Sequence, residues 1–191
     1  MMKRAKGIAF FQAPGALLVI SLGASGCASS EPPRKQLSGP ACEQGAESGE
    51  GVGSLIEDFA LEDQHGETVL LSDFCGQVIL LQMGAMWCPT CQSEAERIPE
   101  LLESFGTDFV ALNVLSENGA GDPARPVDLD AWAEHFDLTS PVLADPGWRI
   151  WDRYFPSHTT PRSILIGADG RIRVIDFVVV DSEIESAIAD R

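Results

Sequence analysis

The stretch Val78-Ile-Leu-Leu-Gln-Met-Gly-Ala-Met-Trp-Cys-Pro-Thr-Cys91 decides how this chain is read. Its first part, Val78–Met83, is a continuous apolar run, the pattern of a central strand covered on both faces. Downstream, Ala95, Ile98, Leu101, Leu102 and Phe105 recur at helical spacing, which predicts a helix from Pro89 to about Phe105. Pro99 is expected to bend it, because proline removes one hydrogen bond. Cys88 and Cys91 therefore sit at a strand-to-helix junction, with Cys88 at the positive end of the helix dipole. Unpaired backbone N–H groups gather there and favour a thiolate. Cys88 is read as an exposed nucleophile, and Cys91, one turn inward, as the thiol that resolves its adducts. Pro89 favours helix initiation, Thr90 adds a hydroxyl near the thiols, and Trp87 either shields one side of the site or packs the core. The chemistry this arrangement favours is thiol–disulfide exchange.

Working outward, the pattern alternates strand and helix. Ile56–Leu61 and Thr68–Leu71 flank the turn signal Asp63-Gln64-His65-Gly66 and read as a hairpin. Phe109–Leu115 is a second buried strand. Ser116–Val127 is a loop, and Asp128–Phe136 a helix with Asp128 as its cap. Asp145–Tyr154 is a short helix carrying Trp148 and Trp151. Ser163–Gly167 and Ile172–Val180 form a hairpin across Ala168-Asp169-Gly170-Arg171, and Ser182–Arg191 closes the chain as a helix capped by Ser182. Such alternation ending in a hairpin implies an α/β sandwich with a mixed sheet.

The N-terminal segment has a different character. Lys3, Arg4 and Lys6 precede an uncharged stretch, Gly7 to Ser30, as in a secretory signal. Ala24-Ser25-Gly26-Cys27 is similar to a bacterial lipobox, in which the cysteine is lipidated. This predicts a signal peptide over 1–26, a flexible tether over 27–54 rich in Ser, Gly, Pro and Glu, and a folded domain over 55–191. The tether and domain would then lie on the periplasmic side of the cell envelope, lipid-anchored through Cys27; an uncleaved N-terminal anchor and soluble secretion are the other readings, and both also place the domain outside the cytoplasm. Ser29 mildly favours the outer membrane. The formal charge is −16, and loss of Lys3, Arg4 and Lys6 with the signal takes it to −19. Such a surface excludes nucleic-acid binding through phosphate contacts.

With these residues in view, the chain over about Leu55–Arg191 resembles the thioredoxin fold and, within it, the TlpA/ResA-like membrane-anchored thiol–disulfide oxidoreductases. The resemblance rests on the hairpin leading into Leu71-Ser72-Asp73-Phe74, on the strand running into Trp87-Cys88-Pro89-Thr90-Cys91, and on Thr160-Pro161 before the strand at Ser163. It implies a three-layer α/β/α sandwich with a mixed sheet and an N-terminal β-hairpin extension. It further implies a cis Pro161 facing the thiols, with Thr160 held extended to pair with a substrate strand. The implied activity is reduction of exported protein disulfides without a cofactor, by a monomer kept reduced by a membrane electron carrier, with cytochrome c maturation as one task; a general disulfide reductase or isomerase is equally compatible with the residues.

Two departures stand out. Gln82 occupies the place where thioredoxin carries a buried, proton-moving Asp, and Met83-Gly84-Ala85-Met86 replaces the usual aromatic stretch. Glu94 matches a glutamate of ResA-like proteins and is the acid–base candidate. A solvated residue pairing with Arg97 is the other reading.

Two cysteines remain. Cys42 and Cys75 leave an even count and are read either as a structural disulfide, suited to an oxidising compartment, or as independent thiols. His65 and His135 read as solvated; His158 could approach the thiols and, with them, complete a metal site. Competing functions are a peroxidase of the peroxiredoxin type and a metal-binding or scaffold protein. The first wants Pro-x-x-x-Thr/Ser-x-x-Cys, and Ala85 and Leu81 fail both positions before Cys88.

Overall fold

The computed structural model describes residues 48–155 and 157–191. The proposed signal peptide, most of the tether, Cys27 and Cys42 lie outside the described residues. Seven strands form one mixed sheet: β1 (Ala60–Asp63), β2 (Thr68–Leu70), β3 (Val78–Ala85), β4 (Phe109–Glu117), β5 (Val142–Ala144), β6 (Arg162–Ile166) and β7 (Ile172–Asp176). Their order is β2-β1-β5-β4-β3-β6-β7. The centre, β3-β4-β5, is parallel, whereas β6 and β7 on one side and β1 and β2 on the other add antiparallel. The hairpin of β1 and β2 is the expected N-terminal extension, and the thioredoxin-like sandwich is borne out.

Alternation along β3 and β4 sorts the core into two layers. Val78, Leu80, Phe109, Ala111 and Leu115 pack against α1 (Pro89–Phe105), α2 (Pro126–His135) and α4 (Asp181–Ala189). Ile79, Leu81, Met83, Val110, Leu112 and Val114 pack on the other face with Trp151 and Tyr154 of α3 (Arg149–Tyr154). Every residue of β3 is buried, as its apolar run requires. The expected helix at Pro89–Phe105 is matched and contains Pro99.

Element boundaries depart from expectation where particular hydrogen bonds, not periodicity, set them. β1 begins at Ala60 because the N–H of Ile56 is drawn instead to the carbonyl of Gly170. Further upstream, the N–H of Gly53 reaches the carbonyl of Ile172. α2 starts at Pro126, before Asp128. Asp128 sits at the third helical position, where its carboxylate accepts the backbone N–H of Arg125 at 3.1 Å. α4 begins at Asp181, and the capping carboxylate is that of Glu183, on the N–H of Val180 at 2.9 Å, not the hydroxyl of Ser182. α3 starts only at Arg149. Asp145, fully buried, precedes it and accepts the N–H groups of Arg149, Ile150 and Trp151 at 3.0–3.2 Å. Burial raises the Asp145 pKa, and those three N–H groups oppose the rise. The strand β5 was not foreseen; three residues are too few for a periodicity.

Candidate functional site

The site forms where β3 ends and α1 begins. Cys88 is the N-cap of α1, with extended backbone (φ −83°, ψ 116°), and its Sγ accepts the N–H of Cys91 at 3.3 Å. This geometry turns the sulfur back over the first helical turn. Cys88 is consequently buried, with 4% of its surface exposed, which corrects the expectation of an exposed nucleophile. Trp87 beside it is the exposed residue, at 48%. Its indole N–H donates to Glu117 Oε2 at 2.7 Å, so the ring is held at the rim and covers no core. Cys88 and Cys91 are free thiols in this structure.

The two sulfurs differ electrically. Burial opposes the Cys88 thiolate, but hydrogen bonds from the Cys91 and Thr160 side chains and from the backbone of Cys91 and Thr90 outweigh it. Its pKa is held below the ordinary thiol value of 9.0. It is thus the backbone of Thr90, rather than its hydroxyl, that touches the site; the side chain is exposed. Cys91 is pushed up to about 12, by burial first and then by its hydrogen bond to Cys88. Its S–H donates to Thr160 Oγ1 at 3.6 Å. The Thr160-Pro161 bond is cis, as the resemblance implies.

Gly84 lets Cys91 approach the strand. A Cβ at that position would lie 2.7 Å from Cys91 Sγ and 3.1 Å from its Cβ. A crevice beside the sulfur is lined by Gly84, Pro161, Gln82, Glu94 and Asn113. Glu94 does pair with Arg97, at 2.7 Å, yet it is 8% exposed and so is no solvated surface residue. Gln82 Nε2 donates to the same carboxylate oxygen, Oε2, at 3.1 Å, and Asn113 Nδ2 donates to Gln82 Oε1 at 3.2 Å. Asn113 and Glu117 were missed from sequence. A polar residue inside the apolar run Phe109–Leu115 was the available signal for the first. Nothing local marks the second.

Cys75 and His158 have partners of their own. Cys75 is disulfide-bonded. His158 stacks on Trp148 with centroids 4.3 Å apart, and its Nε2 meets Asp152 Oδ1 at 2.6 Å. No group of three or more His, Cys, Asp or Glu suited to a metal occurs among the described residues. No helix among them is long and apolar enough to cross a membrane.

Comparison with known proteins agrees with this geometry. The chain is 27% identical over 124 residues to the thiol-disulfide oxidoreductase ResA of Halalkalibacterium halodurans, covering 63% of this chain and 65% of that protein. It is 38% identical over 126 residues to the thiol:disulfide interchange protein DsbE of Vibrio cholerae, covering 64% and 62%. The chain thus spans just under two thirds of the length of these relatives. Among solved structures, the exposed lipoprotein thioredoxin Etrx1 of Streptococcus pneumoniae superposes with a TM-score of 0.57 at 26% identity, over 71% of this chain and 100% of that one. The AhpC/TSA family model matches residues 52–175, and the chain belongs to that family, within which it is similar to the ResA-like proteins.

Proposed function

We infer that this protein is a thiol–disulfide oxidoreductase that acts on protein disulfides through Cys88 and Cys91. The observation that carries the reading is the opposed ionisation of two thiols one helical turn apart, Cys88 lowered and Cys91 raised to about 12. The Cys88 thiolate attacks a partner disulfide, and one partner sulfur leaves. Cys91 then loses its proton and attacks Cys88 Sγ. The new Cys88–Cys91 bond forms as the mixed disulfide breaks, and the second partner sulfur leaves as a thiolate. Two electrons pass to the partner, and no cofactor is needed. Thr160, joined to Pro161 by a cis bond, is the proposed backbone partner of a substrate strand, and Trp87, exposed at the rim, offers that strand an apolar surface. Pro89 and Thr90 complete the first turn. Glu94 is the base for the Cys91 proton, since it lines the same crevice as that sulfur.

The reading extends to location and direction. The basic start, uncharged stretch and Cys27 support export and a lipid anchor on the periplasmic side, with residues 27–54 as tether. An exposed-lipoprotein relative of the same fold is in keeping with this. In that setting the protein acts as a reductant of exported proteins, apocytochrome c among them, recharged by a membrane electron carrier. Cys42, outside the described residues, is the proposed partner of Cys75; such a bridge ties the tether to the turn after Phe74.

The test is covalent trapping. Cys91→Ser should accumulate mixed disulfides through Cys88 when challenged with oxidised protein substrates, and Cys88→Ser should accumulate none. Trapping by Cys88→Ser alone would reverse the roles. Rapid peroxide consumption with a thiol donor, together with no disulfide exchange, would reject the reading.

A further inference from the structure

The buried polar row beneath the thiols has a forced polarity. An ionised carboxylate only accepts hydrogen bonds, so the amide group facing Glu94 must be the Nε2 of Gln82. That leaves Gln82 Oε1 directed at Asn113, which must answer with its Nδ2. The distances are 3.1 Å and 3.2 Å, and Gln82 and Asn113 are each 4% exposed. Gln82 and Asn113 are also register partners on neighbouring strands, so the backbone fixes one against the other. Asn113 Oδ1, the last atom of the row, is buried with no donor among the described residues, and Asn113 lines the crevice shared by Cys91 and Glu94.

Both donors that reach Glu94, Arg97 Nη1 and Gln82 Nε2, converge on Oε2. Among the described residues, Oε1 receives none. Neutral amides in a buried row are costly unless matched, so their presence here calls for a use. We propose that Gln82 and Asn113 are positioning residues for the resolving step: they fix Glu94 through Oε2 and leave Oε1 free to take the Cys91 proton. This rests on the proposed role of Glu94 as base. In the step, the proton passes from Cys91 Sγ to Glu94 Oε1 through solvent in the crevice, and the sulfur's electron pair forms the bond to Cys88 Sγ. The Cys88–partner bond breaks, and its pair leaves with the partner thiolate. Among the described residues, the charged and titratable groups tied to the carboxylate are Arg97 on α1, Asp181 at the start of α4, which binds Arg97 Nη2 at 2.6 Å, and Cys91, which lines the same crevice. β3 and β4 contribute only the amides.

The experiment is stopped-flow reaction of the reduced protein with 5,5′-dithiobis(2-nitrobenzoate), followed from pH 5 to 11. The first thionitrobenzoate released reports Cys88 attack; the second, a unimolecular phase, reports resolution by Cys91. Gln82→Met is nearly isosteric and removes the donor; Asn113→Ser is the milder variant should the first fail to fold, judged by circular dichroism. Either variant should leave the first phase within about twofold. Each should slow the second about tenfold near pH 7, a fraction of the 10²–10⁴ that a positioned base contributes. The deficit should vanish as pH rises toward the point where Cys91 ionises unaided. An unchanged second phase, or slowing that is equal at every pH, would overturn the proposal. Glu94→Gln separates the two levels. If it slows resolution while the amide variants do not, only the positioning role fails; if it too leaves resolution untouched, the base assignment fails with it.

Discussion

Replacing Gly84 by alanine tests how closely the active-site helix sits on its strand. The new Cβ would stand 2.7 Å from Cys91 Sγ and 3.1 Å from Cys91 Cβ. Optimal contact between carbon atoms is about 3.5–4.0 Å, so the deficit approaches 1 Å. The strand cannot yield: Gly84 pairs with Leu115 of β4, and the neighbouring Met83 pairs with Arg162 of β6. A rotation of the Cys91 side chain relieves the sulfur but leaves the Cβ contact, so the first turn of α1 must shift as well. Overpacking of this kind costs about 1–3 kcal/mol. A displacement near 1 Å at a reacting atom costs about 10²-fold in rate.

Gly84→Ala should therefore lower the urea midpoint by that stability increment and slow the resolving phase by one to two orders of magnitude. A double-mutant cycle isolates the contact. With Cys91→Ala in place the sulfur is gone, and the stability cost of Gly84→Ala should fall by at least half, the remainder coming from the Cβ contact. Equal costs in both backgrounds would refute the reasoning, because the penalty would then lie elsewhere on the strand.

Other expectations follow from the thiols and the bridge. Because Cys88 is depressed below 9.0 and Cys91 raised to about 12, iodoacetamide at pH 8 should modify Cys88 first, as mapped by peptide mass spectrometry. The Cys88 rate should fall only as pH drops through its lowered pKa. Thr160→Val removes a hydrogen bond that stabilises the Cys88 thiolate, so that inflection should move upward toward 9.0; an inflection that stays put or moves down would contradict the geometry. Loss of the Cys75 disulfide, tested as Cys75→Ser, should cost about 3–4 kcal/mol in the chain-entropy model for a loop closing at Cys42. For a domain of this size that lowers the melting temperature by roughly 10–15 °C. Cys42→Ser should match it, and a neutral Cys42→Ser would exclude Cys42 as the partner.

Local chemistry made part of this protein legible without coordinates. A covered strand, a helix start and two thiols three positions apart lie within 28 consecutive residues, Val78–Phe105, and each is a short-range pattern of hydropathy or helix-end chemistry. The Thr160-Pro161 pair was readable only through likeness to known proteins. Gln82 and Glu94 were singled out through the same likeness, but the hydrogen-bonded row they form with Asn113 was not readable. Gln82 and Asn113 are 31 residues apart and meet because β3 and β4 pair in that register; Glu94 meets them because α1 docks on that face. A shift of one residue in either strand would send one amide to the opposite layer, beside Leu81 or Leu112. The covering of Cys88 was likewise decided by the fold, since the direction of an N-cap side chain depends on what packs over the first turn. Sequence alone supplied the reacting atoms; long-range strand pairing and helix docking determined which groups surround them.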